Sequence, residues 1–149
     1  MDRSERAGDF FLQGYNCAQS VTMAFADLIG MEEAAAARLA SPFGGGMGRM
    51  REVCGAVSGM LMVLGILYGY DTPNDDVTKG ALYDQVQQLA HSFRDQVGTI
   101  LCREILENPP TDPNPSPRTQ QYYAERPCAR MVMLAAEIME DFIAQHPVA

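Results

Sequence analysis

The sequence predicts an all-α fold, a single-domain helical bundle built around a buried, glycine-rich central helix. Three observations predict it. Apolar residues recur at helical spacing over most of the chain, and no stretch alternates as a half-buried strand would. The run Val53–Tyr70 carries no charged side chain, as a helix buried on all sides requires. The 149 residues are 47% hydrophobic and 20% charged, which suits one domain (1–149) with a substantial core.

Taken in order, Ser4–Gln13 reads as a short helix ended by Gly14 and Tyr15. Asn16 is an N-cap with Gln19 three residues on, a capping box that opens a helix over Cys17–Ile29. Its apolar stripe is Val21, Ala24, Phe25 and Leu28, and Gly30 stops it. Met31–Ala40 is alanine-rich and helical, and Pro42 and the glycine loop Phe43–Gly48 end it. The central helix follows over Arg51–Tyr68. Its pairs Gly55/Gly59 and Gly65/Gly69 lie at i, i+4, where another backbone can approach closely. Thr72 caps the next helix and Pro73 suits its first position. That helix reaches Val97 with Leu82, Val86, Leu89, Phe93 and Val97 on one face, and Gly98 ends it. Thr99 caps a short helix, Ile100–Leu106. Residues 107–118 hold five prolines and form a surface loop. The last helix runs over Pro127–Gln145, or starts earlier near Thr119, with Val132, Ala135, Ile138, Met139 and Phe142 inward.

Net charge is −8 and the pI about 4.6, which argues against nucleic acid as a partner. Val53–Tyr70 approaches the length of a membrane span. However, Cys54, Ser58 and four glycines leave it weakly hydrophobic, and its flanks show no charge asymmetry, so no membrane insertion is expected. The segment MDRSERAGDF has no apolar core of a signal peptide, which points to the cytoplasm and to reduced thiols.

Four cysteines remain to be explained, and none forms a CxxC pair. Each sits at or near the start of a predicted helix: Cys17 behind Asn16, Cys54 behind the glycine loop, Cys102 behind Thr99, and Cys128 beside Pro127. Helix N-termini stabilise thiolates through unpaired N–H groups and partial positive charge. Arg49, Arg51, Arg103, Arg126 and Arg130 stand close by in sequence and would act the same way if they face the sulfurs. Up-and-down helices can bring all four starts to one end of the bundle. The bland alternative is that free cysteines pack as small hydrophobes.

The pieces Gly14–Val21, Phe43–Gly48, Cys54-Gly55-Ala56-Val57-Ser58-Gly59, Gly98–Arg103 and Cys128 together resemble the C-GCAxxG-C-C family of bacterial and archaeal redox-active proteins. Val53 stands where the family name writes a glycine before the cysteine. The resemblance implies a helical domain of this length with a redox role, and a redox partner it does not specify. On this reading Cys54 and Cys17 are the reactive thiols, with Cys102 and Cys128 as partners or resolving cysteines, in thiol–disulfide exchange. An alternative has Cys17, Cys54, Cys102 and Cys128 as ligands for zinc, copper(I) or an iron–sulfur cluster. A third reading is a non-catalytic interaction subunit, a homodimer joined through the GxxxG faces.

Other features carry less. The loop GGGMGR lacks the P-loop pattern, and its glycines suit close packing on the central helix. The ten methionines, Met47, Met50, Met60 and Met62 among them, suit core filling better than copper. His91 reads as solvated, and His146 lies at a helix C-terminus. Glu137, Glu140 and Asp141 form a solvated acidic face, and Tyr15 packs beside the Cys17 cap.

Overall fold

The computed structural model describes residues 2–148. Among these residues the chain is all-α, with eight helices besides the short helical turns Ser41–Phe43 and Gly44–Met47: α1 (Arg3–Leu12), α2 (Cys17–Ala24), α3 (Glu33–Ala40), α4 (Gly55–Tyr68), α5 (Asp76–Val97), α6 (Cys102–Ile105), α7 (Gln120–Glu125) and α8 (Cys128–Gln145). None is long and apolar enough to cross a membrane.

Helix α1 packs along α8, and the Asp2 side chain caps it by accepting from the Glu5 N–H at 2.8 Å. Glu140 accepts from the Arg3 N–H at 2.9 Å, so this member of the acidic face also caps α1.

Helix α2 touches α1, α3, α4 and α8. It therefore shares the centre of the bundle with the first half of α4. Its hydroxyls do not prevent burial, because Ser20 and Thr22 donate to the carbonyls of Asn16 and Ala18, one turn back. The helix ends at Ala24, earlier than its apolar stripe suggests. Phe25 and Ala26 donate to carbonyls only three residues back, and the chain turns away with Leu28 exposed. Arg3 fills the gap by donating to the Ala24 carbonyl at 2.8 Å.

Helix α4 begins at Gly55 rather than Arg51. Arg51 takes a left-handed conformation, and Val53 forms an isolated antiparallel bridge with Leu101. Residues 55–60 are buried apart from half-buried Ser58, but the helix emerges from the core, and Ile66 is 55% exposed. Burial on all sides thus holds only for its first half. The Gly55/Gly59 face is taken by α2: a Cβ on Gly59 would lie 2.7 Å from the Ala18 carbonyl oxygen. That face is filled within the chain, whereas Gly65 looks into open space.

Asp75, not Thr72, caps α5, because its carboxylate accepts from both the N–H and the hydroxyl of Thr78. The inward stripe of α5 is as expected, with Leu89 and Phe93 fully buried and Leu82, Val86 and Val97 at the margin; His91 is exposed. The short helix expected over Ile100–Leu106 contracts to α6, since Ile100 and Leu101 pair with the segment before α4. The last helix divides at Arg126, whose extended backbone separates α7 from α8.

The core gathers Phe11, Phe25, Phe93, Met60 and Met139 with aliphatic neighbours from five helices. Met47 and Met50 are exposed instead. Tyr15 meets Phe10 edge-on at 5.7 Å, in a smaller cluster under α3. His146 stacks on Phe142 at 4.1 Å.

Candidate functional site

Each cysteine stands at a helix start, as the sequence suggests. Cys17 is the first residue of α2, behind a complete Asn16/Gln19 capping box. Cys54 is the N-cap of α4, and Cys102 and Cys128 open α6 and α8. Two of these starts are tied together. The Cys54 N–H donates to the Ile100 carbonyl at 2.7 Å, and the Cys102 N–H donates to the Glu52 carbonyl at 2.7 Å. The glycine loop fits beneath them. Gly46 has a φ of +66°, and a Cβ there would lie 2.8 Å from the Cys102 Cβ.

All four cysteines are free thiols and line one cavity of about 270 Å³. Phe11, Tyr122 and Met131 supply apolar wall, and Pro113, Pro115 and Ser116 of the proline-rich segment cover it. Four arginines line it, Arg49, Arg51, Arg118 and Arg126, and no aspartate or glutamate does. An acidic chain thus encloses a positive cavity.

The arginines have distinct attachments. Arg49 holds the covering segment, donating to the Asp112 carbonyl at 2.8 Å and to the Ser116 hydroxyl at 3.0 Å. Arg118 stacks on Phe11 at 4.4 Å and on Tyr122 at 4.9 Å, and donates to the carbonyls of Phe11 and Tyr15. Arg126 stacks on Tyr122 at 4.9 Å. Arg51 is 3% exposed. It donates from Nε to the Pro110 carbonyl at 3.0 Å and from Nη1 to the Cys102 sulfur at 3.6 Å. Arg103 and Arg130 face solvent instead, Arg103 paired with Glu52 at 3.0 Å. Arg118 has no sequence signal beyond being the basic residue that closes the proline run, and it is not among the residues singled out above.

These surroundings separate the four thiols. A hydrogen bond from the Cys17 thiol, reinforced by Arg126, Arg118 and Arg51, outweighs burial and draws Cys128 down to about 7. The same interaction, with burial behind it, raises Cys17 well above the ordinary thiol range. Burial pushes Cys54 up to about 12, although the Ala56 and Val57 N–H groups oppose it. Burial also raises Cys102, against the bond from Arg51. The helix-start argument thus acts on Cys54 in the expected direction and is outweighed by desolvation.

Among the described residues, no group of three or more His, Cys, Asp or Glu side chains is arranged to hold a metal ion. A ring of guanidinium groups also repels a cation. As placed, the thiols do not form the three- or four-ligand set that zinc or an iron–sulfur cluster takes.

An all-α chain with four free cysteines around one arginine-lined cavity is a helical thiol protein. The family described as "Putative redox-active protein (C_GCAxxG_C_C)" matches residues 15–142, and the chain belongs to it. No curated protein and no solved structure matches the chain.

Proposed function

We propose that the protein performs thiol–disulfide redox chemistry, with Cys128 as the attacking thiolate and Cys17 as the resolving thiol. The pairing of these two thiols in one arginine-lined cavity carries the reading. Cys128 is the thiol with the largest thiolate fraction near neutral pH, and Cys17 holds a proton beside it. Cys54 and Cys102, held protonated by burial, line the same cavity. A reducing compartment such as the cytoplasm would return the Cys17–Cys128 disulfide to thiols.

Mild oxidation of the reduced protein followed by peptide mapping tests this. A Cys17–Cys128 disulfide is the expected first product, and Cys128→Ser should abolish it. Four thiols that stay reduced, or a first bridge between Cys54 and Cys102, would overturn the assignment.

A further inference from the structure

Arg51 is the one lining arginine whose guanidinium is both buried and short of partners. Its Nη2 is sealed from solvent and has no hydrogen-bond acceptor. Among the described residues no carboxylate lies within ion-pair distance of it. A buried guanidinium with an unused N–H is unfavourable unless something completes it. Nothing in its neighbourhood does so: the acceptors it has are the neutral Pro110 carbonyl and the Cys102 sulfur. Arg118 is committed to carbonyls, and Arg49 to a carbonyl, a hydroxyl and the Asp112 carboxylate at 3.7 Å, so neither offers the same free donor.

We infer that the cavity binds a small anionic disulfide, its carboxylate or sulfonate group seated on Arg51 and its S–S bond presented to Cys128. The inference rests on the thiol-exchange reading of the same site and names its substrate class. An oxyanion in the cavity supplies the countercharge that Arg51 lacks, and a small shift of the guanidinium gives the sealed Nη2 an acceptor. The volume suits a molecule of few heavy atoms rather than a protein segment, and the apolar wall of Phe11, Tyr122 and Met131 suits the carbon chain between anion and sulfur.

The chemistry balances within these groups. The Cys128 thiolate attacks one substrate sulfur; a Cys128–substrate disulfide forms, the substrate S–S bond breaks, and one substrate thiolate leaves. Cys17 then gives up its proton and attacks the Cys128 sulfur. The Cys17–Cys128 bond forms, and the second substrate thiolate leaves. Two cysteines are oxidised by two electrons and one disulfide is reduced; the Cys17 proton goes to one product thiolate, and the other takes up from solvent the proton that Cys128 lost on ionising.

Three disulfides of similar size separate charge from reactivity: 3,3′-dithiodipropionate, neutral bis(2-hydroxyethyl) disulfide, and cationic cystamine. Each rate is divided by that of a free small thiol with the same reagent. The expected result is a preference of about tenfold or more for the dianion over the neutral compound, weakening with salt. Arg51→Gln should collapse the ratio, and Arg51→Lys should restore part of it.

The thioether 3,3′-thiodipropionate, which cannot exchange, provides a second readout on the unaltered protein. Calorimetric binding of it with no reduction of any disulfide would keep the anion site and remove the exchange reading. Equal normalised rates for all three disulfides with no thioether binding would overturn the inference and leave exchange standing. Neither binding nor exchange would remove both.

Discussion

Cys54 and Cys128 both stand at the starts of long helices, yet burial drives one to about 12 while a neighbouring thiol and three arginines draw the other to about 7. Position on a helix therefore does not fix thiolate character; the balance between desolvation and nearby donors does. Alkylation by iodoacetamide, mapped by mass, checks this. Modification of Cys128 should rise as pH increases through about 7, where its proton is lost, while Cys54 stays unmodified over the same range. Arg126→Ala should move the Cys128 midpoint upward by removing a positive neighbour. Modification of Cys54 ahead of Cys128 would show that the burial of Cys54 is not maintained in solution.

Between elements, α2 and α4 approach closely through Gly55 and Gly59. Gly59→Ala places a methyl group against the Ala18 carbonyl and should destabilise the fold by about 1–3 kcal/mol. Gly65→Ala, in the same helix but facing open space, should instead stabilise it by roughly 0.5–1 kcal/mol. Chemical denaturation of the pair measures both signs. The i, i+4 glycines are legible in the sequence, as are the helix starts at the cysteines and the inward stripe of α5. The central place of α2 is not, because Ser20 and Thr22 look polar and only coordinates reveal that they bond their own backbone. The early start expected for α4 fails for a related reason: a short apolar segment such as Val53 satisfies its backbone equally well by pairing with a distant one.

At the scale of the whole molecule, the chain sequesters four of its positive charges in a cavity while its net charge is −8. The proline-rich segment, legible as an extended surface loop, lines one side of that cavity and is held there through its carbonyls. Side-chain pattern carries little trace of this: the Pro110 and Asp112 carbonyls that hold Arg51 and Arg49 belong to the backbone, and the Ser116 hydroxyl and Asp112 carboxylate only add to the hold on Arg49. Arg49→Ala should release the segment and speed alkylation of Cys102, with helix content by circular dichroism unchanged. An unchanged rate would mean that the segment keeps its place without Arg49.

The distance along the chain between Cys17 and Cys128 has a consequence for biosynthesis. At ordinary translation rates roughly 10 s separate their appearance at the ribosome. Throughout that interval Cys17 lacks the Cys128 sulfur as its partner, and α1 and α2 lack α8, the helix both pack against. The low-pKa thiol is the last of the four to be made, and it belongs to the helix that completes the core. The one thiol of lowered pKa therefore arrives together with the finished fold, and its reactivity depends on α8 being in place.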